Sequence, residues 1–249
     1  MGAILSRSEA VELAARLLAA RYPQADAGFA AGSFVRGNAV PRSDLDLVVL
    51  MPEIETSWRE SLIFEGVPVD VFVHDPDTLR LYLQKDVDAR KPAMLTMTRE
   101  GVIVGPRPAP AEALKAEAEA IYAKGPPPFS PEELERFRFM ISDRIDDLRD
   151  ERPWPEQVGT AVWLHMVLSE FILQANGRWA ATAKWTPRAL AAYDPAVEAA
   201  FTAAFEALFE RRDVAPVIAF AEAVLAPFGG PLFDGYKATG ESAPKRREA

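Results

Sequence analysis

Residues 32–50 read GSFVRGNAVPRSDLDLVVL, and this stretch decides the fold. Asp44 and Asp46 open an apolar run, Leu45 to Leu50, which flanking turn residues delimit as a buried β-strand. Because residues i and i+2 of a strand point to the same face, the two carboxylates are predicted to lie side by side, about 7 Å apart. Such a pair needs a compensating charge, and oxygen ligands favour Mg²⁺. The alternative is two exposed acids at a frayed strand end.

A Gly-Ser pair lies upstream of the two acids. The small residues Ala27 to Ala31 predict a short strand, so Gly32 and Ser33 fall where that strand ends. Glycine permits a tight turn that points backbone N–H groups outward, and Ser33 adds a hydroxyl. We interpret the pair as a phosphate cradle that faces the metal site, although a Gly-Ser dipeptide alone would indicate only a turn.

A third carboxylate, Asp70, interrupts another apolar run. The segment from Leu62 to Val73 predicts a hairpin whose strands, Leu62 to Phe64 and Val67 to Val73, are joined by a Glu65-Gly66 turn. A carboxylate in the middle of a buried strand needs a metal, a cation or a proton to offset its desolvation. The alternative is an edge strand with Asp70 facing water.

These three elements resemble the nucleotidyltransferase superfamily that includes DNA polymerase beta. Within it, the chain is most similar to the two-domain antibiotic nucleotidyltransferase-like proteins, such as the aminoglycoside and lincosamide adenylyltransferases. The motif match covers about residues 28–75, and the helical half is similar chiefly in size and architecture.

The resemblance implies Mg²⁺-dependent transfer of AMP from ATP, the co-substrate, to a hydroxyl of a small acceptor, with release of pyrophosphate. Asp44 and Asp46 would ligate two metal ions, and Asp70 would complete one site and accept the proton of the acceptor hydroxyl. Gly32 and Ser33 would hold the β and γ phosphates. Further candidates for nucleotide binding are Arg36, Arg42, Ser43 and Lys184. For Arg36, Arg42 and Lys184, the alternative interpretation is an ordinary charge on the protein surface. For Ser43, it is a residue that caps the turn.

The expected architecture is an α/β (α+β) domain with a small mixed sheet, followed by an all-α helical bundle. The predicted boundaries are 1–108 for the catalytic domain, 109–129 for a connector that contains one helix between two proline-bearing stretches, 130–236 for the bundle and 237–249 for a disordered tail. Ser6 and Glu9 form a capping-box pattern before the first helix. Ser130-Pro131, Thr186-Pro187 and Asp194-Pro195 predict capped helices in the bundle.

Composition narrows the function classes. A net charge of −9 argues against long nucleic acid as a partner, because such binding depends on Lys and Arg neutralising phosphates. No continuous apolar run of membrane-spanning length is present, and the absence of cysteine fits the cytoplasm. Acids are dense in residues 132–151, where they either attract a polycationic small molecule or pair with the interleaved arginines.

Two other functions remain open from the sequence. One is transfer of AMP to a protein, as in nucleotidyltransferase-type toxin or antitoxin systems. The other is a catalytically inactive nucleotide-binding protein. The sequence indicates neither the identity of the acceptor nor the oligomeric state, because pocket shape and interfaces are not encoded in local motifs.

Overall fold

The structure is a computed structural model, and it describes residues 5–240. The chain divides into two compact units, Met1–Pro127 and Pro128–Ala249. The first unit contains α1 (Arg7–Arg21), β1 (Ala27–Ala31), α2 (Gly32–Arg36), β2 (Leu45–Leu50), β3 (Trp58–Phe64), β4 (Val67–His74), α3 (Pro76–Ala89), α4 (Ala93–Glu100), β5 (Val102–Val104) and α5 (Ala109–Lys124). The last nine residues of the predicted tail, 241–249, lie outside the described part of the chain.

Helix α1 begins at the predicted capping box. The Ser6 hydroxyl accepts a hydrogen bond from the Glu9 N–H, and the Glu9 carboxylate accepts one from the Ser6 N–H at 2.7 Å. These bonds satisfy N–H groups that have no partner within the helix. The helix buries one apolar stripe against the sheet, made of Ala10, Leu13, Ala14, Leu17 and Leu18.

The five strands form one mixed sheet in the order β3-β4-β2-β1-β5. β2 and β4 pair in parallel, and the other neighbours pair antiparallel. The predicted small mixed sheet is therefore confirmed. β4 lies between β3 and β2, so the alternative of an edge strand with Asp70 facing water is wrong.

The two faces of the sheet have different roles. Leu45, Leu47 and Val49 of β2, with Val69, Val71 and Val73 of β4, join the core that α1 covers. Because side chains alternate between the faces of a strand, Asp46 and Asp70 point to the opposite face. The alternation of side chains along β2 and β4 therefore places the apolar residues in the core and also directs Asp46 and Asp70 to the other face.

The hairpin between β3 and β4 turns at Glu65-Gly66, as predicted. Both residues have positive φ, 49° and 80°, as a type I′ turn requires. β3 begins at Trp58, four residues before the predicted start, so that Ser61 lies directly opposite Asp70. The longer strand brings Arg59 and Ser61 onto the face that carries Asp70.

Two short helices of this unit, α2 and α4, were not predicted. Residues 109–129 were predicted to be a connector that contains one helix, and the structure has that helix as α5. α5 packs against α4 within the first unit and buries Ala111, Leu114 and Ala118. The Lys115 ammonium donates a hydrogen bond to the Gly101 carbonyl at 2.6 Å.

The second unit is helical in its described part. It contains α6 (Pro131–Arg149), α7 (Trp154–Ala175), α8 (Thr186–Tyr193), α9 (Pro195–Arg211) and α10 (Ala215–Leu225), with 3₁₀ turns at Ala183–Trp185 and Ala226–Phe228. Ser130 caps α6 and Asp194 caps α9, as predicted. Thr186 is the first residue of α8 and makes no capping bond, so that prediction is wrong.

Helix α7 is the one helix in residues 5–240 that is long and apolar enough to cross a membrane. Half of its most apolar window is buried, and Leu164, Leu168 and Phe171 contribute to the core of the second unit. Its length and composition therefore fit a core helix.

The acid-rich helix α6 forms the ion pairs that its interleaved arginines predict. Arg144 pairs with Asp143 and Asp147 at 2.8 and 3.0 Å. Arg149 pairs with Asp146 and with Glu222 of α10.

Candidate active site

Three carboxylates from two neighbouring strands converge at one place. Asp44 directly precedes β2, Asp46 is its second residue, and the parallel register sets Asp46 opposite Asp70 of β4. Each side chain offers one oxygen, and these oxygens all lie within 4.8 Å of one another. The structure therefore brings together the three acids that the sequence selected.

The cluster concentrates negative charge in a partly dehydrated position. Burial, followed by the charges of Asp44 and Asp70, raises the pKa of the Asp46 carboxyl to about 6. Arg36 and Arg59 act in the opposite direction and lower that pKa. The two arginines therefore compensate the cluster only in part.

The donor set fits a divalent cation. Three carboxylates are hard oxygen ligands, which Mg²⁺ and similar ions prefer. Burial, and then the neighbouring charges of Asp44 and Asp70, make the ionised form of Asp46 unfavourable, and a bound cation would relieve that cost. Asp44, Asp46 and Asp70 are the residues that would hold it.

Gly32 is in close contact with the cluster. It has a φ of +85°, and a Cβ placed on it would lie 2.2 Å from Oδ2 of Asp46. Both the backbone conformation and the lack of space require glycine at this position. Ser33 follows it as the second residue of α2.

The loop between α2 and β2 carries the other candidates from the first unit. Arg36 ends α2 and pairs with Glu100 at 3.4 Å. The Ser43 hydroxyl accepts a hydrogen bond from the Val40 N–H at 2.9 Å, which is the turn cap given above as its alternative. Arg42 is exposed to solvent.

Two residues that the sequence analysis did not select, Arg59 and Ser61, bind Asp70 directly. The Arg59 guanidinium lies 2.5 Å from Oδ2 of Asp70, and the Ser61 hydroxyl donates to Oδ1. The sequence contained the information needed to place both residues near Asp70. A two-residue turn at Glu65-Gly66 fixes the hairpin register and sets residue 61 opposite residue 70.

Lys184 belongs to the second unit, in the 3₁₀ turn that precedes α8. It is exposed, and its ammonium lies 5.9 Å from the centre of the Trp185 ring. Arg188 lies over the same ring at 4.6 Å. The structure thus shows a surface cation within a small aromatic and basic cluster.

No known protein-family model matches the sequence, and no curated protein matches it. Among solved structures, the chain is similar to the crystal structure of a nucleotidyltransferase-like protein from Exiguobacterium sibiricum 255-15. The two chains are 15% identical, the match covers 87% of this chain and 74% of the other, and the TM-score is 0.46. A likeness at this level assigns neither a family nor an activity to the chain.

Proposed function

We propose that the protein is a Mg²⁺-dependent nucleotidyltransferase that transfers AMP from ATP to a hydroxyl of a small acceptor. The observation that carries the proposal is the convergence of Asp44, Asp46 and Asp70, whose oxygens lie within 4.8 Å of one another. The close approach of Gly32 to Asp46 supports it, because the missing Cβ lets the backbone of this turn lie directly against the carboxylate cluster.

The reaction forms one bond and breaks another at the α-phosphorus. The acceptor oxygen attacks phosphorus, and the bond to the leaving pyrophosphate breaks. Bound Mg²⁺ supplies positive charge that stabilises the charge developing on the phosphate oxygens. Asp44, Asp46 and Asp70 would hold the cation, and Asp70 would also accept the hydroxyl proton.

Cations and backbone N–H groups would orient the triphosphate. Gly32 and Ser33 are proposed to contact its β and γ phosphates, with Arg36, Arg42 and Lys184 as charge partners and Ser43 shaping the loop. Among these cations, Arg36 has the best support, because its charge acts on Asp46 and lowers the pKa of that carboxyl, while its guanidinium also pairs with Glu100 at 3.4 Å. A guanidinium so placed neutralises phosphate oxygens by charge-assisted hydrogen bonds.

The proposed acceptor is a small molecule, with an aminoglycoside-like antibiotic as the first compound class to examine. The net charge of −9 disfavours long nucleic acid and favours a cationic acceptor. The lack of cysteine supports a cytoplasmic location.

The test is a transfer assay with α-labelled ATP, CTP, GTP and UTP, Mg²⁺ and a panel of aminoglycosides and lincosamides. Labelled acceptor and released pyrophosphate are measured together, with the double variant Asp44→Asn, Asp46→Asn as the control. The proposal expects transfer by the wild type and a loss of at least about a thousandfold in the variant, since both residues hold the metal.

Two results would count against the proposal. Binding of ATP without transfer to any acceptor would favour an inactive nucleotide-binding protein. Equal transfer by the wild type and the double variant would show that the carboxylates of Asp44 and Asp46 are not required for the reaction.

A further inference from the structure

Asp70 has both of its carboxylate oxygens engaged by β3. Arg59 occupies Oδ2 at 2.5 Å, and Ser61 occupies Oδ1. Asp70 itself is only 9% exposed, so Arg59 and Ser61 provide the hydrogen bonds that water would give to an exposed carboxylate. A cation that ligates Asp70 therefore meets an oxygen already held by a guanidinium.

Arg59 is well placed to leave that position. Its side chain is 60% exposed, and β3 is an edge strand of the sheet. The guanidinium also lies 5.0 Å from the centre of the Phe72 ring, which is a second favourable contact for a cation. Arg59 regains water when it leaves, and the incoming cation takes its place beside the buried Asp70 carboxylate, so the exchange leaves no buried charge without a partner.

The three carboxylates together favour replacement of the Arg59 guanidinium by a divalent metal ion. Asp44, Asp46 and Asp70 bring three carboxylates together, and a single guanidinium carries one positive charge. A divalent ion brings two charges and can contact all three acids at once. Arg59 and the ion would also repel each other at this distance.

We propose that Arg59 competes with the divalent cation for Asp70 and thereby lowers the affinity of the cluster for that ion. The inference rests on the metal site of the proposed function. Arg59 is a positioning residue in this scheme, because it acts through Asp70. When the ion binds, the guanidinium moves away from Oδ2, while Ser61 continues to orient the carboxylate.

The experiment measures metal binding by the full-length protein, independently of any activity. Mn²⁺ is titrated, and the free ion is quantified by electron paramagnetic resonance for the wild type, Arg59→Gln and Arg16→Gln. Arg16 is the matched control, since it is a half-exposed arginine of the same unit that pairs with Glu65 at 2.8 Å, and its replacement changes the net charge equally. We expect Arg59→Gln to bind Mn²⁺ about fivefold more tightly, and Arg16→Gln to match the wild type.

A second measurement follows Arg59 in the wild type itself and does not depend on the metal affinity of the variant. The side-chain ¹⁵N–¹H signal of Arg59, identified by its loss in Arg59→Gln, is recorded during titration with Mg²⁺. We expect it to shift with the same midpoint as metal binding, while the Arg16 signal stays in place.

The outcomes separate this inference from the function on which it rests. If neither the wild type nor Arg59→Gln binds Mn²⁺, the metal site of the proposed function is wrong. If the wild type binds and Arg59→Gln binds equally or more weakly, competition by Arg59 is wrong while the metal site stands. An unshifted Arg59 signal at saturating Mg²⁺ would also overturn the competition.

Discussion

Gly32 is the residue at which a single added carbon is expected to disturb the site most. Its φ of +85° strains any other residue, and a Cβ would collide with Oδ2 of Asp46 at 2.2 Å. We predict that Gly32→Ala destabilises the protein by about 1–3 kcal/mol and weakens Mn²⁺ binding at least about tenfold, because Asp46 must move. Urea unfolding and metal titration measure the two effects.

Gly66 provides the matched control for that substitution. It has a similar φ of +80°, yet nothing lies within 4 Å of the Cβ that a substitution would add. Gly66→Ala should therefore cost about 1 kcal/mol of stability through backbone strain and leave metal binding unchanged. Equal loss of Mn²⁺ binding in both variants would mean that the contact with Asp46 has no special role.

Asp86 is a half-buried acid outside the carboxylate cluster. It lies on α3 and accepts a hydrogen bond from the Leu95 N–H at 2.8 Å in the first turn of α4. Burial raises the pKa of its carboxyl to about 6, although the backbone bonds from Leu95 and Met94 partly lower it. The folded protein therefore binds the proton more tightly than the unfolded chain, whose value is near 3.8.

This difference makes stability fall as pH rises. The favourable contribution of protonated Asp86 is fully present below about pH 4 and is lost as pH rises through about 6. We predict that Asp86→Asn, which stays neutral, gains about 1 kcal/mol over the wild type between pH 4.5 and pH 8. Urea unfolding at the two pH values measures the gain. Asp88→Asn, at an exposed position of the same helix, should show no such pH-dependent gain.

The sequence predicted the acids of the site better than their partners. Asp44, Asp46 and Asp70 were recognisable because a carboxylate in an apolar strand is costly and therefore conspicuous. Arg59 and Ser61 occur in a mixed polar and apolar stretch, where exposed charges are ordinary. Their role follows from the hairpin register, which the turn fixes, but it becomes visible only when β3 is extended back to Trp58 through that polar stretch.

At the scale of the elements, long and strongly patterned segments were predicted well. β1 and β2 have the predicted bounds and α1 begins at its predicted capping box, because apolar runs and capping residues mark them. α2 and α4 were missed because they span only five and eight residues and lack a side-chain cap. Helices that short take their stability from tertiary packing.

The parallel pairing of β2 and β4 is also beyond local patterns. β3 intervenes in the chain between the two strands but lies outside them in the sheet. The hairpin turn predicts that β3 pairs with β4, and it does not predict which strand lies on the other side of β4. That choice is what brings Asp70 to Asp46.

The capping box of α6 gives a prediction at this scale. The Ser130 hydroxyl accepts from the Glu133 N–H at 3.1 Å, and Glu133 accepts from the Ser130 N–H at 2.8 Å. Ser130→Ala should lower the stability of the second unit by about 1 kcal/mol, because an N–H at the start of α6 loses its acceptor. Thr182→Ala is the control, since Thr182 precedes a 3₁₀ turn and makes no capping bond. Thermal unfolding followed by circular dichroism should separate the two variants.

At the scale of the whole molecule, the two units have separate cores. The core under α1 draws on residues 10–104, and the core around α7 draws on residues 137–225. The two share no residue, so each unit contains the apolar burial that a domain of its size needs. The composition of the chain indicates two domains, whereas the position of their boundary depends on where α5 packs.

The boundary can be tested by truncation. Because α5 buries Ala111, Leu114 and Ala118 against the first unit, we predict that residues 1–127 fold alone and bind Mn²⁺ as the full chain does. A fragment ending at residue 108 loses α5 and the bond from Lys115 to the Gly101 carbonyl, and it should be less stable by about 3–5 kcal/mol. Urea unfolding of the two fragments measures that difference. A 1–108 fragment as stable as 1–127 would make α5 a connector, and an unfolded 1–127 fragment would show that the first unit depends on the second.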